Sequence, residues 1–545
     1  MMSFSSMPTR IDRIPLESNH TSQRRYMSKS IYIVNPRSDF PTYFTNEVYL
    51  SNGFNPNTLI ADLAIPTLAA LAPEGFHTEL CDENIFPIDF DSKADFIAIT
   101  GKITQSLRMI SLAKEFRRRG KVVIFGGPYA SLSPERLRPY CDILVQGEIE
   151  NIAGDLFSDL ENNSWKQEYI GDKPDLSKSP LPRWDLYPNH RALIGSIQTS
   201  RGCPFECEFC DVIQYLGRKQ RHKSPPQVLS ELDALYQHGY RRVFLADDNF
   251  TVYRSRAKEL LLALKHWNQS RKDHKVSFVT QLSIEISKDS EMLDLCAEAG
   301  LTHVFIGIET PNETSLKETK KRQNLGLDLS RQIQEFIDRG IVVTAGMIVG
   351  FDSDDKGIFE QQYNFAMSLP VPVFSLGALV APAATPLYTR MARENRIFEL
   401  GSEVAAMPWS TNIVPRQMTR DELLTGVKWL CNRLYHPDAF GERMSRFIDC
   451  FGAQSNYLES EARLRARDMR TIEIESVDLV GRELKSDTEE GKMISRLLKQ
   501  ASKKTKSAPW VIPMLAQYLQ VRYLYEQGGI WSAHIGSSPD FGIKV

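Results

Sequence analysis

Cys203-Pro204-Phe205-Glu206-Cys207-Glu208-Phe209-Cys210 decides how the chain is read. Three cysteines at C-x3-C-x2-C spacing follow an apolar, strand-like run over residues 194–199 and a Ser200-Arg201-Gly202 turn. A strand that runs straight into closely spaced thiols presents a loop able to wrap a metal centre. Three thiolates are one short of the four that usually hold an iron–sulfur cube, and a cube fixed at three corners leaves one iron open to another ligand. Two other readings compete. His222 could complete a four-ligand zinc site, although zinc ligands more often come as two pairs than as one tight triplet. The thiols could also be unrelated buried residues. Spacing alone points to a three-point metal loop and leaves its occupant open.

Outward from the triplet the pattern is regular. Strands are expected over residues 194–199, 242–246, 276–281, 303–308, 342–349 and 374–380, and helices over 227–238, 254–267, 290–299, 327–339 and 358–369. Gly239, Gly300 and Gly340 stand where helices should end. Six β/α units exceed a minimal nucleotide-binding fold and fall short of an eightfold barrel. In barrels of this kind function gathers at the carboxyl ends of the strands, which is where the triplet lies.

Residues 29–175 form a separate alternating unit. Strands are expected at 30–35, 77–81, 95–100, 122–125 and 142–145. Helices are expected at 58–71, with Pro66 as a kink or boundary, and at 104–119 and 150–160. Strands alternating with helices predict a doubly wound parallel sheet. Ligands bind such sheets at the carboxyl edge, which here carries Thr100-Gly101, Gly126-Gly127-Pro128 and Gly147-Glu148. The glycines either let a bulky ligand approach the backbone or only make turns.

The cysteine loop resembles that of the radical S-adenosylmethionine (SAM) superfamily, and the six-unit count fits its partial (β/α)6 barrel. The resemblance implies a [4Fe–4S] cluster on Cys203, Cys207 and Cys210 whose open iron chelates SAM. Cys81-Asp82-Glu83-Asn84 and the three glycine loops resemble the cobalamin-binding domain that precedes many of these enzymes. They imply cobalamin contacts from Thr100, Gly126, Gly127, Gly147 and Glu148. The chain departs from the pattern in two places: the domain has no Asp-x-His-x-x-Gly, and Tyr129 stands where relatives often carry His. Asp247-Asp248 ends the second barrel strand and implies pairing with the SAM ammonium, against a helix N-cap as the plain alternative. Gln281, Glu285 and Glu309 are further strand-end candidates for SAM contact. The basic stretch from Arg218 to Ser224 resembles an Arg-x-Arg-Ser-Pro element of cobalamin-type members, read as neutralising the cluster or the SAM carboxylate. Trp409-Ser410-Thr411-Asn412, Pro415-x-x-Met418 and Leu434-Tyr435-x-Pro437 resemble hopanoid C-2 methylases. The whole resemblance covers about residues 30–450.

The fold expected is α/β: a doubly wound cobalamin-binding sheet, a partial radical SAM barrel over 176–380, and a mainly helical region over 381–545. The function expected is methyl transfer to an unactivated carbon of a small molecule, with a polycyclic lipid suggested by the hopanoid resemblance. Flavodoxin or ferredoxin is the expected reductant. Ring formation or rearrangement without methyl transfer shares the architecture. An iron–sulfur or cobalamin-binding sensor or carrier is the non-enzymatic alternative.

Bulk properties agree. The net charge of −2 over 545 residues gives no field favouring nucleic acid. Eight cysteines at this length and no visible secretory signal fit a reducing cytoplasm. No apolar run reaches the roughly 18 to 20 residues a membrane span needs. Residues 510–525 are apolar, read as packing ahead of peripheral membrane contact. Residues 1–28 read as a disordered tail, 461–470 as a charged helix, and Trp184 in the proline-rich linker as interdomain packing.

Overall fold

The computed structural model describes residues 29–271, 275–398, 407, 409–455 and 470–541. The tail expected over 1–28 and, apart from Arg470, the helix expected over 461–470 lie outside the described residues. Strand β1 (Ser30–Asn35) shows how the first layer is held. Alternate strand residues face opposite sides. Tyr32 and Val34 pack with Met109, Leu112 and Phe116 of the helix Ser106–Arg118, whereas Ile31 and Ile33 join the main core. A parallel strand covered on both faces needs such apolar residues on both.

β2 (Thr58–Ile60) leaves this layer for the second sheet. The helix expected over 58–71 is therefore only Ala64–Leu71. Thr58 and Ile60 are β-branched and pair with Ala192 and Ile194. Pro66 falls in the first helical turn, where no N–H is missed, so it makes no kink. β3 (His77–Asp82), β4 (Phe96–Thr100), β5 (Val122–Gly126), β6 (Ile143–Gln146) and β7 (Glu168–Ile170) complete the first sheet. Its order is β3-β1-β4-β5-β6-β7, and every pairing is parallel. The order reverses beside β1, which puts the ligand crevice of an open sheet at the ends of β1 and β4.

The second sheet contains β8 (Ala192–Ile197), β11 (Arg242–Leu245), β12 (Ser277–Gln281), β13 (Leu301–Glu309), β14 (Val342–Val349) and β15 (Phe374–Ala378). β9 (Ser200–Arg201) and β10 (Arg221–His222) pair antiparallel beside it. All six expected strands and five expected helices occur within two residues of their expected bounds. The order is β15-β14-β13-β12-β11-β8-β2, so the borrowed β2 makes a seventh parallel strand on an open, curled sheet. Trp184 is buried, edge-on to Tyr187 (5.6 Å) and Tyr240 (6.3 Å).

Helices Arg420–Tyr435, Pro437–Cys450, Thr471–Leu484, Glu489–Ala501 and Ala508–Gln527 form the last layer. The apolar stretch from Trp510 to Tyr525 packs inward: Tyr518 stacks near Phe440 (4.4 Å), and the Tyr525 hydroxyl meets that of Tyr43 at 2.8 Å. Among the described residues no helix is long and apolar enough to cross a membrane.

Candidate active site between two sheet edges

The strand-end loops of both sheets open on one cavity of about 1090 Å³. Small-molecule sites usually span roughly 300–1,000 Å³, so this one has room for more than one ligand. Thr100, Gly126, Gly127, Gly147 and Glu148 line it from the first sheet. Arg201, Asp211, Glu309, Met347 and Leu376 line it from the second.

The thiol loop is braced on all sides. Asp247, just past β11, accepts the N–H groups of Thr199 (2.7 Å) and Ser200 (2.9 Å) and the Thr199 hydroxyl. Its carboxylate is filled by the chain itself and fixes the entry to the loop, which is a different role from cofactor contact. Asp248 accepts the Gly202 N–H at 3.0 Å through one oxygen, and burial pushes its carboxyl up to about 6. Cys203 N–H donates to Gly217 O (3.2 Å), and Glu208 N–H to Thr319 O (3.0 Å). Arg390 grips the Glu208 carboxylate with two bonds of 2.9 and 3.0 Å and also pairs with Asp352. Burial pushes the Cys203 thiol up to about 11 and Cys210 up to about 12. Such thiols stay protonated until a cation arrives, and coordination to iron removes the protons. Three free cysteines on one braced loop are a donor set that fits a cluster held at three points. His222 packs edge-on against Tyr253 at 5.7 Å, and among the described residues no three His, Cys, Asp or Glu side chains group as a single-ion site would.

Glu148 is not free to meet a ligand. Its carboxylate bonds to Arg201 Nη1 (2.6 Å) and to both terminal nitrogens of Arg221 (2.6 and 2.9 Å), and Arg201 also reaches Glu150 (2.7 Å). Arg201 and Arg221 flank the thiol loop, so this buried group ties the first sheet to it. The expected neutralising role of Arg221 gives way to this clasp. Lys223, in the same stretch, pairs with buried Glu231.

Two of the glycines serve chain packing. Gly147 has φ +72°, and a Cβ there would lie 2.2 Å from Gly171 O; at Gly127, φ +89°, it would lie 2.5 Å from Thr100 Oγ1. Gly126 differs: its nearest neighbour to such a Cβ is at 3.9 Å, and it lines the cavity. The first-sheet wall is thus low and built of small strand-end residues, which fits a broad, flat ligand such as a corrin. Gln281 is exposed and does not line the cavity, and neither does Glu285.

Glu309 ends β13 in left-handed backbone, φ +65°, a conformation that costs a non-glycine residue about 1–3 kcal/mol. Neighbouring amides hold it there. Asn324 Nδ2 donates to the carbonyls of Gly307 and Ile308 (both 2.9 Å), and Gln362 Nε2 donates to that of Glu309 (3.0 Å). Its carboxylate pairs with Lys321 at 2.7 Å. Sequence reasoning passed over Lys321, Asn324 and Gln362. The Lys320-Lys321-Arg322 run was the one available signal, and it looks like an ordinary solvated turn.

A partial parallel barrel with a thiol triplet on its first strand-end loop faces a doubly wound sheet, the architecture of a metal-centre barrel joined to a ligand-binding α/β unit. The family model described as the Radical SAM superfamily matches residues 197–365, and a domain of unknown function matches 385–483. An uncharacterized methyltransferase of Synechocystis sp. is 34% identical over 422 residues, 76% of this chain and 77% of the relative. Hopanoid C-2 methylase of Rhodopseudomonas palustris is 30% identical over 384 residues, 69% of this chain and 71% of the relative. Among solved structures, the cobalamin-dependent SAM radical enzyme OxsB, with aqua-cobalamin and SAM bound, shares the fold at TM-score 0.57 and 16% identity. It covers 92% of this chain and 80% of its own. The chain belongs to the radical SAM superfamily, in the cobalamin-dependent group with hopanoid C-2 methylase, whose cofactors are a [4Fe–4S] cluster, SAM and cobalamin.

Proposed function

We propose that the protein methylates an unactivated carbon of a neutral polycyclic lipid, with a hopanoid as the leading candidate. The observation that carries this reading is a cavity bounded by the first-sheet strand ends and by Arg201, Asp211 and Tyr215 on either side of the thiol loop, with apolar residues on the barrel side. Phe44, Phe305, Met347, Ile348, Leu376 and Val380 line that side. Of the charged lining residues, Glu148, Glu150, Arg201, Lys223 and Glu309 are ion-paired within the chain, and Asp62, Lys102 and Asp211 add polar points to an otherwise apolar wall. Such a wall suits a hydrocarbon skeleton, since burial contributes about 25 cal/mol per Å² of apolar surface.

Cys203, Cys207 and Cys210 hold the cluster in this reading, and the second oxygen of Asp248 receives the donor's ammonium. Thr100 and Gly126, with the backbone of Gly127 and Gly147 beside them, would line the side that takes the corrin. Bound there, the three cofactors would supply hydrogen-atom abstraction and a transferable methyl group. The chain's own work is placement: the Glu148 clasp sets the two walls against each other, and the apolar side excludes water. Residues 29–175, 176–380 and 381–545 act as cofactor, radical and accessory units. Electrons come from a flavodoxin or ferredoxin in the cytoplasm.

The test is incubation of the anaerobically reconstituted protein with methyl-labelled SAM, a low-potential reductant and a hopanoid. Label in the lipid supports the reading. Deoxyadenosine with an unlabelled, altered product assigns the protein to ring formation or rearrangement instead. Absence of SAM cleavage under good reduction favours a sensor or carrier.

A further inference from the structure

A second group of side chains stands against the thiol loop without a part in the placement just described. Lys321 follows the helix Glu313–Glu318. Its ammonium is buried, 2.7 Å from the Glu309 carboxylate and 6.0 Å from the centre of the Phe209 ring, the residue just before Cys210. Lys321 thus stands beside the loop segment that carries Cys207 and Cys210. Two residues on, Gln323 Nε2 donates to Cys207 Sγ at 3.4 Å. Gln323 is 8% exposed, and its Oε1 has no hydrogen-bond partner. Glu309, Lys321 and Gln323 thus form a short row beside the thiol loop: a carboxylate–ammonium pair near Phe209 and an amide N–H on the Cys207 sulfur.

We propose that this row sets the reduction potential of the cluster held by Cys203, Cys207 and Cys210. The proposal rests on the reading of those cysteines as cluster ligands. Reduction moves one electron from the external donor onto the cluster and adds one negative charge there. Hydrogen bonds to sulfur and nearby charge are the levers that set such potentials. In a buried setting these interactions are strong because little water screens them. Lys321 and the Gln323 N–H favour the reduced cluster. Glu309 opposes it by compensating Lys321, so the pair holds the potential at an intermediate value. The backbone bonds from Asn324 and Gln362 fix how far the compensation reaches, which makes them positioning residues for Glu309.

The row makes a signed prediction that a purely structural role does not. The experiment is an EPR-monitored potentiometric titration of the full-length, anaerobically reconstituted protein without SAM, with iron content measured alongside. Lys321→Met lowers the midpoint, and Glu309→Gln raises it. Each shift is about tenfold in the reduction equilibrium, or about 59 mV for one electron. Gln323→Leu lowers it by less, and Lys321→Arg leaves it near wild type. If Lys321→Met loses iron, an upward shift in Glu309→Gln alone still supports the proposal. Midpoints that do not move, or that move in the same direction for Lys321→Met and Glu309→Gln, overturn it. Loss of iron from both variants also overturns it, because a tuning pair is dispensable for assembly. A wild-type protein that assembles no cluster overturns the cysteine reading and this proposal together, which separates that failure from failure of the tuning alone.

Discussion

Replacing Glu148 by glutamine removes the negative centre of the clasp between the first sheet and the thiol loop. The partners respond unequally. Arg201 keeps Glu150 at 2.7 Å, whereas Arg221 keeps only the carbonyls of Pro174 (3.0 Å) and Leu216 (3.2 Å). The Arg221 side chain is 13% exposed and that of Glu148 is 6%, so water cannot take over the lost role. Removing one partner of a buried pair costs about 3–5 kcal/mol. Glutamine retains the shape and one acceptor, which places the expected loss near 3 kcal/mol. A chain of several domains does not unfold in one step, so the first urea transition is the one to read, through the summed fluorescence of the seven tryptophans. At a slope of about 2 kcal/mol/M, that transition moves down by about 1.5 M urea. The double variant Glu148→Gln/Arg221→Gln recovers part of the loss, since no charge is then stranded. Glu115→Gln, which removes the partner of Arg118 and Arg119 on an exposed helix, produces no measurable shift and serves as control. A Glu148→Gln shift below about 0.3 M, or a double variant no more stable than the single, would refute the claim that the clasp joins the two units.

Cys207→Ala abolishes iron binding and the cluster's visible absorbance after anaerobic reconstitution; unchanged iron content contradicts the three-thiol assignment. Gly426→Ala places a Cβ 2.1–2.3 Å from the Phe359 ring, and overpacking of this kind costs about 1–3 kcal/mol, read as a lowered thermal midpoint. Asp354 accepts from Ser315 Oγ (2.8 Å) and from the N–H groups of Gly350 (2.9 Å) and Phe351 (3.0 Å), yet burial raises its carboxyl from 3.8 to about 6. The folded chain then holds this proton more tightly than the unfolded chain. Its contribution is full below pH about 4 and is lost as the pH rises through about 6. Asp354→Asn flattens that part of the stability–pH curve, and an unchanged slope contradicts the burial argument.

What the sequence made legible was whatever is written in local spacing. The thiol triplet, the six strands of the barrel and the helix-ending glycines are each decided within a dozen residues, and each lies where local pattern puts it. What stayed hidden was pairing at a distance. Thr58–Ile60 looks like the start of a helix because Ala64–Leu71 follows it, and its true partner in β8 is more than a hundred residues away. Asp247 looks like a ligand-facing carboxylate until Thr199 and Ser200, 48 and 47 positions earlier, fill it. Glu148 looks like a cofactor contact because it ends a strand beside a glycine, and nothing near it announces Arg221.

The same long-range pairings bear on how the enzyme can work. β2 is hydrogen-bonded into the barrel sheet, and Ser196 Oγ donates to the Ala61 carbonyl at 2.8 Å just beyond it. Asn57 Nδ2 donates to Glu475 at 2.6 Å, and the Tyr43 hydroxyl donates to Leu376 O at 2.8 Å. These four links belong to the first unit, and Arg470 Nη1, donating to Asn189 O at 2.7 Å, ties the helical layer to the barrel unit besides. The first unit is therefore sewn to the barrel and to the helical layer at four places, besides the clasp at Glu148. Opening these walls as rigid bodies would break a sheet ladder and several buried hydrogen bonds at once, each about 1 kcal/mol or more. Two cofactors that must act on one substrate carbon need a constant separation, and a wall shared through β2 supplies it. Substrate entry then falls to the side chains at the cavity rim. Phe44, 43% exposed and edge-on to Phe305 at 5.9 Å, lines the cavity and belongs to neither sheet.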